Sequence, residues 1–108
     1  MRSRLTLMLI ATCLWATATA EDPGAQREAG IVHLLRHDCG ACHGMRLTGG
    51  LGPPLTAAAL TGRSVEGLRD AILDGRPGTP MPPWRGWLTP PEAQWLARAL
   101  KEGRLDDG

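Results

Sequence analysis

The 108-residue sequence has no phenylalanine and no tyrosine, a single lysine (Lys101), and only three cysteines. Its 12 basic and 11 acidic side chains nearly cancel, and no basic run is interleaved with aromatics, so neither duplex nor single-stranded nucleic acid is an expected partner. Nowhere do apolar and polar residues alternate for long enough to read as a strand. Long apolar runs are also lacking. The best, Leu5 to Trp15, is eleven residues, which rises about 16 Å as a helix where a bilayer core needs about 30 Å.

That run does suit export. Arg2 and Arg4 form a positive start, the apolar stretch follows, and Ala18-Thr19-Ala20 supplies small residues before Glu21. Residues 1–20 therefore read as a secretory signal peptide and residues 21–108 as one domain destined for the periplasm. Cys13 raises the alternative of a lipoprotein signal, for which Ile10-Ala11-Thr12 is a poor match. Removing Arg2 and Arg4 leaves ten basic against eleven acidic side chains, a net charge of −1.

Eighty-eight residues without Phe or Tyr make a thin apolar core, and a domain of that size needs a staple. Cys39 and Cys42 are too close together to close a useful disulfide loop. A large, apolar, covalently bound cofactor would serve instead.

The pattern predicts helices joined by long loops. A first helix spans Glu21 to His37, with Asp22 as its cap, Pro23 in its first turn, and Ile31, Leu34 and Leu35 on one face. Gly49-Gly50-Leu51-Gly52-Pro53-Pro54 marks a loop. Ser64 caps a second clear helix carrying Val65, Leu68, Ala71 and Ile72, which stops at Gly75. After a proline-rich loop, Thr89 opens the last helix with Pro90, Pro91 and Glu92 in a capping box. Trp95, Leu96, Ala99 and Leu100 form its buried stripe.

Cys39-Gly40-Ala41-Cys42-His43 is the attachment signature of a c-type haem. On a helical turn, residues i and i+3 face the same way. Cys39 and Cys42 can each form a thioether to a haem vinyl group, while His43 projects from that face towards the iron. A CxxC redox pair would give no reason for the adjacent histidine. A structural zinc site lacks its remaining ligands unless His33 or His37 is recruited. Those two histidines, spaced i and i+4, read more simply as a solvated pair beside Arg36.

With these residues in place, the chain resembles the class I cytochromes c over essentially all of residues 21–108. That resemblance implies an all-α fold wrapped around one covalent haem. It implies that Gly52-Pro53 sets a carbonyl against the second ring nitrogen of His43, fixing its tautomer, and that Leu55 covers the haem. It also implies a distal methionine. Met45 follows His43 by two residues and cannot reach around the ring, so a surface or packing role is expected of it. Met81 sits between Pro80 and Pro82 in a loop matching the family's methionine loop, which makes it the expected sixth ligand. Trp95 is expected to pack the last helix on the first near Gly30. Trp84 and Trp87 could wall the haem edge or present a docking surface.

The stretches 38–44, 49–55 and 75–85 are more specifically similar to the small cytochromes c of denitrification gene clusters, the NirC type also called cytochrome c55X. This implies a periplasmic single-electron carrier with cd-type nitrite reductase as partner, or an accessory factor in maturing that enzyme's haem. Axial ligation by His43 and Met81 leaves no open coordination site, so catalysis is not expected. A haem enzyme or gas sensor would require a labile Met81.

Overall fold

The computed structural model describes residues 22–107; the expected signal peptide lies outside the described residues. Four α-helices follow one another, α1 (Ala25–Leu34), α2 (Gly40–His43), α3 (Val65–Asp74) and α4 (Pro90–Lys101), with a π-helical turn, Leu35–Cys39, joining α1 to α2. Among the described residues there is no strand, and the all-α expectation holds.

The first helical run starts later and goes further than the sequence pattern implies. Gly24, not Asp22, precedes its first turn, and no side chain caps it. The Asp22 carboxylate lies instead 3.4 Å from Arg98 on α4. At the other end helical structure continues past His37 through the π turn to His43. A π turn holds an extra residue per turn, so it resets the register of the side chains after it. Leu35, Cys39, Cys42 and His43 all come to line the same cleft.

The other two helices begin and end where their residue chemistry dictates. The Ser64 hydroxyl accepts from the Gly67 N–H at 3.0 Å. At Thr89 the capping box is complete, with Thr89 N–H donating to Glu92 at 2.9 Å and Pro90 and Pro91 leading the helix. Gly75 ends α3 with φ +68°. A Cβ there would meet Met81 O at 2.7 Å and the Pro82–Pro83 link at 2.8 Å, so only glycine lets the loop holding Met81 fold back onto the helix end. The loop also supplies donors to the last carbonyls of α3, through Trp84 N–H to Ile72 O and Arg85 N–H to Leu73 O.

Helices α3 and α4 pack together, and the core gathers Ile31, Leu35, Leu47, Leu60, Leu73, Leu88, Trp95, Leu96 and Leu100. Trp95 is buried in this cluster with Arg104 over its ring at 5.7 Å. It does not pack at Gly30, which is exposed and whose Cβ position meets only Arg27. Helix α1 joins α4 through Ile31 in this core and through a charge contact. Arg27 pairs with Glu92 and donates to Trp87 O at 2.9 Å.

Candidate functional site

One cleft takes in about 1060 Å³ of space, part of it open to solvent. Cys39, Cys42, His43, Pro53, Leu55 and Met81, all six residues expected at the site, line it. They arrive from three places: the CxxCH segment from the helical run, Pro53 and Leu55 from the glycine-rich loop, and Met81 from the loop after α3. The remaining walls are mainly apolar, with Leu35, Leu60, Leu68, Ile72, Trp84, Leu96 and Leu100.

The glycine-rich loop is pinned to the end of α2 by its backbone. Gly49 N–H donates to His43 O and Gly52 N–H to Cys42 O, both at 2.8 Å, and Leu55 N–H reaches Leu47 O at 2.8 Å. Leu47 is fully buried with φ +61°, a conformation leucine rarely adopts. This folding brings Pro53 O to 2.7 Å from Nδ1 of His43. A carbonyl only accepts, so Nδ1 carries the proton and the lone pair lies on Nε2, the nitrogen left for a metal. The imidazole is buried, and Gly52 lies against it. A Cβ on Gly52 would lie 2.8 Å from both Nδ1 and Cε1. The resemblance marks Gly52-Pro53 for the carbonyl that meets His43; the role of Gly52 as a floor for the imidazole emerges with the three-dimensional contact.

Cys39 and Cys42 are not joined to each other in a disulfide. Burial pushes the Cys39 thiol up to about 11, and the neighbouring Asp38 carboxylate adds to the rise. That is opposite to the lowered pKa that makes a CxxC pair a redox catalyst. Among the described residues no three His, Cys, Asp or Glu side chains come together as a metal-binding group, so Cys39 and Cys42 gain no further zinc ligands. His33 and His37 are exposed, with ring centroids 4.2 Å apart and the rings tilted by 37°, away from the cleft lining. Met45 is 63 % exposed and outside the cleft, on the surface as expected. Trp84 walls the cleft, whereas Trp87 is exposed elsewhere.

A haem suits this lining: an apolar slot for the ring, two thiols on one helical face, a histidine with Nε2 unprotonated, and a methionine on a loop held by prolines. Fold and site together define a small c-type cytochrome domain. The family model for "Cytochrome C oxidase, cbb3-type, subunit III" matches residues 26–98. Cytochrome c55X of Paracoccus denitrificans is 57 % identical over 98 residues, covering 91 % of this chain and 93 % of the relative. The solved c-type cytochrome NirC is 54 % identical with a TM-score of 0.76, covering 79 % of this chain and 100 % of that one. A solved dihydro-heme d1 dehydrogenase, NirN, in complex with DHE is 38 % identical with a TM-score of 0.59, covering 64 % of this chain and 15 % of that one. The chain belongs to the cytochrome c55X family of c-type cytochromes, whose haem c is covalently attached. No helix among the described residues is long and apolar enough to cross a membrane.

Proposed function

We propose that the protein is a periplasmic carrier that passes single electrons to a cd-type nitrite reductase of denitrification. The observation that carries this reading is that His43, its Nδ1 proton held by Pro53, and Met81 line one apolar cleft, so the chain itself can supply both axial ligands. Haem supplies the one-electron couple. Cys39 and Cys42 would hold it through thioethers, His43 would offer Nε2 and Met81 its sulfur, and Leu55 would cover the ring. With His43 and Met81 both given to the iron, no site would remain for a substrate, so the protein acts as a carrier and not as an enzyme.

Sulfur ligation favours the ferrous form and raises the potential, while the apolar walls limit solvent reorganisation on electron exchange. Pro80 and Pro82 restrict the backbone around Met81, which lowers the entropy lost in holding a weak thioether ligand. The likeness to cytochrome c55X and NirC supports the denitrification setting. The export pattern of residues 1–20, with cleavage before Glu21, supports the periplasm.

The likeness to a dihydro-heme d1 dehydrogenase favours a second reading, in which the carrier serves maturation of the reductase's haem. Stopped-flow mixing of the reduced protein with oxidised cd-type nitrite reductase separates the two. Transfer faster than nitrite turnover is expected of a donor, and turnover should fall when Trp84 or Arg85 beside the methionine loop is replaced. Slow or absent transfer, together with nitrite reductase lacking its special haem in a deletion strain, would overturn the donor reading in favour of maturation.

A further inference from the structure

The arginines divide sharply by partner. Among the described residues Arg27, Arg36, Arg69, Arg85, Arg98 and Arg104 each pair with a carboxylate. The ammonium of Lys101 is taken up by the carbonyls of Leu60, Thr61 and Arg63. Arg46, Arg63 and Arg76 make no ion pair among the described residues. Two of these three, Arg63 and Arg76, line the haem cleft, and Arg46 does not. Asp38, at the cysteine end, is the only acidic residue in that lining.

Both cleft arginines are anchored at the backbone. Arg63 N–H donates to Leu60 O at 3.0 Å, and Arg63 O receives Lys101 Nζ at 2.6 Å. Arg76 N–H donates to Met81 O at 3.2 Å, and Arg76 O accepts the Thr79 hydroxyl at 2.6 Å. One guanidinium thus comes from the turn before α3 and the other from the turn after it, and the second is tied directly to the residue expected to bind iron.

A haem brings more than an apolar ring to such a cleft. It carries two propionate carboxylates, and an apolar slot cannot accept two negative charges without partners. Guanidinium is the side chain best shaped to take a carboxylate through two parallel hydrogen bonds. We propose that Arg63 and Arg76 hold the two haem propionates, and that these contacts seat the ring and set its potential. The inference rests on the cleft being the haem site.

The sign of the effect follows from charge. Ferric haem carries one more positive charge than ferrous haem, so a propionate left without its arginine favours the ferric form. Arg63→Gln and Arg76→Gln should each lower the potential and reduce the reduced-to-oxidised ratio at a fixed redox poise by roughly two- to tenfold, the scale of one charge acting through a partly solvated medium. Each should also make the potential rise as the pH falls through the mildly acidic range, because a freed carboxylate then takes up a proton on reduction. Arg→Lys should restore most of the potential.

Arg46→Gln, which removes the same charge outside the cleft, is the control. Spectroelectrochemical titration of the five variants and the wild-type holoprotein between pH 5 and 8 reads both effects, and the use of two sites keeps the test alive if one variant folds poorly. The proposal is overturned if neither cleft variant moves the potential or its pH dependence beyond the Arg46 control. Weaker and less salt-sensitive electron transfer with unmoved potentials would assign the two arginines to docking an acidic partner instead. A wild-type protein without a haem spectrum would defeat the underlying site reading, a result distinct from either.

Discussion

Gly52→Ala tests the geometry that orients His43. The added Cβ would lie 2.8 Å from two imidazole atoms, so the ring has to retreat by about 0.6 Å to reach the 3.4 Å at which ordinary contact begins. The loop cannot give way instead, because Gly52 N–H is bonded to Cys42 O at 2.8 Å and Gly52 O to Gly50 N–H at 3.0 Å. Overpacking of this kind costs about 1–3 kcal/mol, which for a domain of this size lowers Tm by roughly 4–8 °C per kcal/mol. Gly62→Ala is the matched control, since nothing lies within 4 Å of its Cβ position, and an exposed site of that kind stays within about 0.5 kcal/mol of wild type. Urea titration of the oxidised holoprotein, followed by haem absorbance and tryptophan fluorescence, gives both midpoints. Equal midpoints for the two variants would refute the claim that Gly52 is the floor of the imidazole.

Three further outcomes are expected. Intact mass spectrometry of protein exported in a host that matures cytochromes c should give residues 21–108 plus one haem with no free thiol; residues 1–20 retained, or haem extractable into acidified solvent, would contradict this. Arg27 holds the Glu92 carboxyl down to about 2 from an ordinary value of 4.5, so the stability it contributes is full above pH 4.5 and is lost as the pH falls towards 2. Glu92→Gln should therefore lose about 1 kcal/mol at neutral pH and show a flatter pH dependence of stability than wild type below pH 4.5, measured by denaturant titration. Met81→Ala should lower the potential substantially, and an unchanged value would show that Met81 is not the distal ligand.

Most of the site is written locally. A CxxCH segment and a proline-flanked methionine are contiguous patterns whose chemistry dictates their meaning, and Ser64, Gly75 and Thr89 punctuate helices by side-chain chemistry that needs no tertiary partner. What escapes the sequence depends on distant contacts. Asp22 is a good capping residue, but Arg98, far along the chain, takes its carboxylate, and α1 starts at Gly24 without a cap. The π turn at Leu35–Cys39 has no compositional mark. Leu47 adopts a left-handed conformation because burial and the bonds of the glycine-rich loop hold it there. Trp95 finds Arg104 and the core in place of Gly30. Arg63 and Arg76 stand out only once the partners of every other arginine are known.

The central claim is a haem iron closed on both sides by His43 and Met81. The near-red absorption of the oxidised holoprotein tests it most directly. Sulfur ligation to ferric haem gives a weak charge-transfer band there, so the wild-type protein should show the band and Met81→Ala should lose it while keeping its covalent haem. A band that persists unchanged in Met81→Ala, or that is absent from the wild type, would contradict the account.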